Sequence, residues 1–313
     1  MNRKIIYHLL ALAVVSVWGF TFISSKILIN AGLSPAQIFF IRFLIAYIGI
    51  WIPCIIQDRM SGSRTAGRLF STSLKDELIF VVLGVTGGSL YFLTENTALV
   101  HTQACNAAFI VCSAPLLTIL LTILVKKIAP EGSELSEGLQ DVGANRWLAL
   151  GTVMALSGMA MVVFNGYSLQ LSPKGDALAF GAALCWAVYS IFMGQKTERY
   201  GALFATRKVF FYGLVSIVPV LIANGQIIFD PSILLQGSVM AHLLFLGVLA
   251  SLVCFIAWNK VITVLGNISG TNYVYLNPIF TLIFAVIVLG ESLTLVSGAG
   301  CLLILLGVII SSK

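Results

Sequence analysis

Long apolar runs recur at short intervals from one end of the chain to the other, and nothing else in the sequence constrains the fold so strongly. A helix rises ~1.5 Å per residue, so about 20 apolar residues cross the ~30 Å hydrocarbon core of a bilayer. Ten such runs are predicted, at roughly 5–29, 35–56, 78–100, 102–125, 147–165, 175–196, 206–224, 240–262, 268–289 and 294–311. Of 313 residues, 59% are hydrophobic and 10% are charged, against about a quarter charged in soluble domains. The expectation is an all-α integral membrane protein whose main partner is the lipid bilayer. The start, MNRKIIYHLLALAVVSVWGF, has the charged-then-apolar order of a secretory leader. Its apolar run is too long and lacks an A-x-A site, so it is expected to remain as the first span.

Cytoplasmic loops are enriched in Lys and Arg. With the N-terminus inside, fifteen of the eighteen basic residues fall on the cytoplasmic side, among them Arg59, Arg64, Arg68, Lys126, Lys127, Lys196, Arg207 and Lys208. The outer side receives Lys174, while Lys26 and Arg42 fall inside predicted helices. The net charge of +6 is thereby explained as a topology signal without invoking nucleic acid. The two longest connections, about 57–77 and 126–146, are cytoplasmic in this arrangement and are expected to be solvated loops.

Sliding the chain against itself by 163 positions aligns 78–125 with 241–288 without a gap. Gly84, Phe92, Asn96, Val111, Pro115 and Thr118 then match Gly247, Phe255, Asn259, Val274, Pro278 and Thr281. At a spacing of 149, Gly151 and Gly158 match Gly300 and Gly307, as if the first half carried an insertion in its 126–146 loop. Trp18 and Trp186 mark the middle of the first and sixth runs. The expected units are therefore residues 1–166 and 167–313. Five helices per unit is an odd number, so the halves must enter the membrane in opposite directions. Inverted repeats of this kind form secondary transporters with a site near the bilayer midplane. Pro115 and Pro278 each remove a backbone donor and free a carbonyl one turn earlier, near Val111 and Val274. Either a packing kink or a hinge accounts for them.

The segments SPAQIFFIRFLIA, ALVHTQACNAAFIVCSAPLLT, ALCWAVYS and LNPIFTLIFAVIVLGESLTLVSGAGCLLILLGV resemble the EamA-type branch of the drug/metabolite transporter superfamily. The resemblance spans essentially the whole chain. It implies ten helices in two inverted repeats, both termini cytoplasmic and a central cavity. Similar members export amino acids and other small metabolites or drugs. Two features depart from the pattern: Lys126 and Lys127 with the long insertion replace a glycine-glutamate turn, and Glu95 is not part of the general family motif.

Glu95 is the most costly residue in these runs, because a carboxylate in hydrocarbon must face protein or a wet cavity. Counting ~1.5 Å per residue places Arg42 about 5 Å and Glu95 about 9 Å outside the midplane. An Arg42–Glu95 bridge would hold both; alternatively Glu95 snorkels to the outer interface, or lines the cavity as a proton acceptor or ligand for a substrate amine. Arg42 is read as structural or gating, Lys26 as an interface anchor and Glu291 as a residue favouring the following helix N-terminus. Trp18 and Trp186, away from the interface belts that Trp prefers, are candidate cavity walls, joined by Tyr91, Tyr189, Trp258, Asn272 and Tyr275. Asn96 and Asn259 are expected to bond across helices.

Aromatic walls, amides and one negative charge suit a neutral or cationic small organic substrate, with protons as a candidate coupling ion. The scattered His8, His101 and His242, with no metal, nucleotide or P-loop motif, argue against an enzyme or an ATP-driven pump and imply no cofactor. A channel-like or facilitative pore is the alternative. Two complementary halves allow a monomer, and a homodimer is equally compatible. The expected location is the cytoplasmic (inner) membrane.

Overall fold

The computed structural model describes residues 3–62, 65–102, 104–128, 146–163, 172–289 and 294–311. Among these, every regular element is helical. The helices are α1 (Arg3–Asn30), α2 (Pro35–Ser61), α3 (Leu74–Gly84), α4 (Leu90–His101), α5 (Ala104–Val111), α6 (Ala114–Ile128), α7 (Arg146–Val163), α8 (Pro173–Tyr200), α9 (Ala202–Ala223), α10 (Pro231–Leu234), α11 (Gly237–Leu244), α12 (Cys254–Leu265), α13 (Asn267–Thr271), α14 (Asn277–Leu289) and α15 (Leu295–Ser311). Seven stretches are long and apolar enough to cross a membrane: Lys4–Asn30, Pro35–Ser61, Leu74–His101, Ala107–Ile128, Pro173–Tyr200, Ala202–Ala223 and Gly237–Leu265. A shorter apolar stretch, Gly298–Ser311, lies in α15. Most of the 126–146 connection, and Glu291, lie outside the described residues.

Local sequence fixes the entry of the second helix. Ser34 accepts from the Gln37 backbone N–H while the Gln37 side chain accepts from Ser34 N–H, and Pro35 follows as the first helical residue. This reciprocal capping satisfies two donors that a helix start leaves open. At the other end of the helix the 57–77 connection is shorter than expected, since α2 continues to Ser61 and α3 opens at Leu74. The Asp58 carboxylate accepts from the N–H groups of Thr65, Ala66 and Gly67 and so ties the loop back.

Several spans are not plain α-helices. A π-helical turn, Val85–Ser89, joins α3 to α4, and a longer one, Phe245–Val253, joins α11 to α12. Offset by 163 positions, the first falls within the second. At the prolines, the α-helix stops at Val111 and resumes at Ala114, while Asn272–Leu276 is 3-10 helix between α13 and α14. The runs expected as single helices over 102–125 and 268–289 are thus interrupted just before Pro115 and Pro278, where the missing N–H breaks the ladder.

Lipid supplies no hydrophobic force between helices, so close contact through small residues holds the bundle. The most extensive pairing is α7 with α15. A methyl group at Gly151 would lie 2.4 Å from the Gly307 carbonyl oxygen, and one at Gly158 would lie 2.6 Å from that of Gly300. The remaining spans form two groups. One packs α3, α4, α6, α8 and α9 together, the other α1, α2, α12 and α14, with α2 against α9 between them. The outer faces carry exposed Ile48, Ile52 and Leu302, as expected of a surface solvated by acyl chains.

Candidate functional site

A cavity opens where the two groups meet. On α1, Trp18, Thr21 and Phe22 line it, a spacing of three and four residues that puts them on one helix face. Arg42 reaches it from α2; Tyr91, Phe92 and Glu95 from α4; Val111 from the end of α5; and Trp186 from α8. Phe255, Val274 and Asn277 complete the wall from the second half. Phe92 and Phe255, and Val111 and Val274, which match at the 163-residue offset, therefore face one space together with Trp18 and Trp186.

The aromatic wall is a mutually packed set. Trp18 and Trp186 stand edge to face at 5.3 Å between ring centroids, and Tyr91 lies 5.3 Å from Trp186. Trp18 also packs on Phe255 and, at 5.0 Å, on Trp258. The Trp18 indole N–H donates to the Ala250 carbonyl at 3.0 Å. Ala250 belongs to the Phe245–Val253 π-turn, the type of irregularity that displaces carbonyls from their usual ladder. The Trp186 N–H is buried without an acceptor among the described residues.

Arg42 and Glu95 occupy this cavity with opposite charges, yet no ion pair joins them among the described residues. The Arg42 Nε–H donates to Ser251 Oγ at 3.0 Å, and the guanidinium lies 4.2 Å above the Phe92 ring. Its Nη1 is buried with no partner among the described residues. Glu95 is 5% exposed, and one of its oxygens accepts from the Tyr91 hydroxyl at 3.2 Å. The expected Arg42–Glu95 bridge is not formed; Ser251 and Phe92 hold the arginine instead. Snorkelling of Glu95 to the outer interface does not occur either, since it is buried against the cavity.

Other expected residues have different surroundings. Tyr189 is fully buried beneath Trp186 and donates to Asn259 Oδ1 at 2.7 Å, while the Asn259 amide donates to Thr206 at 2.7 Å. Asn259 thus bonds across helices as expected, whereas its counterpart Asn96 makes only a long 3.5 Å contact to the Pro35 carbonyl. Trp258 is buried behind Trp18, and Tyr275 is buried away from the cavity. Asn272 donates to Ser311 on α15. Pro115 and Pro278 are buried but do not line the cavity. Lys26 donates to the Leu99 carbonyl, linking α1 to α4.

Sequence reasoning passed over Ser251, Thr21 and Phe22 as site residues. Thr21 and Phe22 were within reach through their spacing from Trp18; no pattern marks Ser251. Lys196 and Lys208 entered the sequence reading only as charges on the cytoplasmic side. Both are buried: Lys196 pairs with Asp76, and Lys208 with Glu77. Arg199 joins Asp76 at 3.1 Å, and Tyr200 donates to it at 2.6 Å.

The free space amounts to about 30 Å³, room for a water or two and far below the ~300 Å³ or more of a small-molecule pocket. The cavity is too narrow in this conformation to hold a small-molecule substrate.

The family model for EamA-like transporters matches residues 5–136 and 173–313. The chain belongs to the EamA-like transporter family. An uncharacterized transporter of Archaeoglobus fulgidus is 26% identical over all of this chain and 98% of its own length. A probable terminal-alkyne amino-acid exporter of Streptantibioticus cattleyicolor is 27% identical over 72% of this chain and 70% of its own. A solved structure titled only as the crystal structure of a protein superposes with a TM-score of 0.67 at 17% identity, covering 99% of this chain and 96% of that one. This last likeness concerns the fold. Family membership makes the chain a multi-pass membrane transporter, with its cavity where two groups of helices converge.

Proposed function

We propose that this EamA-family chain is a secondary transporter that exports small organic metabolites, amino acids or related neutral and cationic compounds, by alternating access. The observation that carries the reading is the composition of the cavity: residues from both halves of the chain, Trp18 with Trp186 and the sequence-matched Phe92/Phe255 and Val111/Val274, meet around one small space. Rocking one helix group against the other widens such a space toward one side at a time.

The wider topology follows the same line. Ten spans in two inverted units, 1–166 and 167–313, make sense of the crossed contacts Gly151–Gly307 and Gly158–Gly300, in which each glycine meets the counterpart of the other. The distribution of Lys and Arg favours both termini in the cytoplasm and residence in the inner membrane. A single chain supplies every wall of the cavity, so a monomer suffices. Glu95 is the group best placed to exchange a proton with the transport cycle. The amino-acid exporter among the relatives supports the substrate class.

Counterflow in proteoliposomes tests this. Purified protein loaded with unlabelled amino acids is expected to accumulate labelled substrate saturably. Flux that fails to saturate would favour a pore, and absence of flux across a broad metabolite panel would contradict the proposal.

A further inference from the structure

Arg42 and Glu95 are unlike charges, buried in the same cavity, each fastened to partners of its own. Arg42 is 1% exposed, tethered through Nε to Ser251 and seated on the Phe92 ring. With the guanidinium stacked on the ring and bonded through Nε, Nη1 meets no acceptor among the described residues. Glu95 accepts one hydrogen bond from Tyr91, and its second oxygen receives none among the described residues. Two groups of opposite charge in a small buried pocket gain most by pairing with each other or with a ligand that matches both. The first arrangement is absent here.

We infer that Arg42 and Glu95 read the two charged ends of a zwitterion. Arg42 takes the substrate carboxylate through its guanidinium edge, a geometry suited to two parallel bonds. Glu95 takes the ammonium group. Trp18, Trp186 and Phe255 cover the apolar side chain. This rests on the transporter reading above and narrows its substrate class: a simple cation leaves Arg42 unmatched, and a simple anion leaves Glu95 unmatched. It also revises the sequence-based picture of a cavity with one negative charge. With about 30 Å³ free, binding must push the walls apart, and the Trp18–Trp186 contact between the two halves is the place that yields.

The test is a binding assay on the purified full-length protein in detergent, by ligand-induced thermal stabilisation and titration. The twenty standard L-amino acids are screened first. The best binder is then compared with its carboxamide, which lacks the carboxylate, and its N-acetyl form, which lacks the ammonium, at about pH 6.5, where the free amines are charged. The wild type is expected to bind each derivative at least tenfold more weakly. Arg42→Gln is expected to erase discrimination against the carboxamide alone, and Glu95→Gln discrimination against the N-acetyl form alone. Should either variant fail to fold, the three probes on the wild type decide. A carboxamide that binds as well as its parent overturns the zwitterion clamp while leaving a transporter of cations intact. Failure of every amino acid to bind also overturns it, and if counterflow with neutral and cationic metabolites then fails too, the transporter reading falls with it.

Discussion

Gly151 and Gly307 meet backbone to backbone: a methyl group on the first would sit 2.4 Å from the carbonyl oxygen of the second, and one on the second 2.6 Å from the carbonyl of the first. Further along the same helix pair, a methyl group on Gly158 would lie 2.6 Å from the Gly300 carbonyl oxygen. At both sites the nearest atoms are backbone, which cannot give way, so added bulk must separate α7 from α15.

Gly151→Leu and Gly307→Leu are therefore expected to destabilise the protein by about 1–3 kcal/mol each, the usual range for overpacking. Gly298, on the same helix, has nothing within 4 Å of its would-be Cβ. Gly298→Ala should be neutral or raise stability by up to about 1 kcal/mol, because alanine is the better helix former. Thermal unfolding in detergent compares the three, and equal melting temperatures would remove the close-packing explanation.

The two related asparagines should behave differently. Asn259 joins Tyr189 to Thr206 through two buried hydrogen bonds, while Asn96 has one marginal contact. Asn259→Ala strands a buried hydroxyl and is expected to cost about 1–3 kcal/mol. For Asn96→Ala the expected loss is smaller, near the ~0.6 kcal/mol average for interhelical polar contacts in membranes. Melting temperatures of the two variants, measured side by side, check the order; the reverse order would mean that the buried chain contributes little.

At one end of the bundle, Asp76 is held by Lys196, Arg199 and Tyr200. Lys196→Met removes its buried cation and leaves the carboxylate with weaker support. A loss of about 1–3 kcal/mol is expected, and Asp76→Leu added to it should restore part of that loss. A double-mutant cycle on thermal stability measures the coupling. Additive effects would show that the pair is not interacting.

Ser251→Ala removes the acceptor that orients Arg42 without touching any other wall. Transport is expected to fall severalfold while the melting temperature changes little. Counterflow and thermal unfolding on the same preparation separate the two effects, and an unchanged rate would mean that Phe92 alone positions the guanidinium.

Depth was legible in the sequence and direction was not. Trp18 and Trp186 could be placed near the middle of their spans by counting residues, Glu95 about 9 Å outside it, and Val111 and Val274 followed from the prolines; all five line the cavity. Asn272 and Tyr275 were placed on the same grounds, yet Asn272 bonds to Ser311 and Tyr275 is buried elsewhere. Spans in lipid are apolar around their whole circumference, so periodicity does not reveal the inward face. The 3-10 turn over Asn272–Leu276 shifts side-chain directions further. For the same reason counting could bring Arg42 and Glu95 to similar depths without showing that Arg42 turns to Ser251. The π-turns were not legible: glycines at 84, 87 and 88 hint at the first, but the second, FLGVLASLV, reads as ordinary helix.

Counterflow of labelled amino acids in proteoliposomes bearing wild type, Trp18→Ala or Trp186→Ala tests most directly whether the narrow cavity lined from both halves of the chain is the transport site. The account predicts saturable accumulation by the wild type and at least a tenfold lower rate in each variant, with both variants still folded by thermal unfolding. Undiminished transport in both folded variants would contradict it and place the pathway elsewhere.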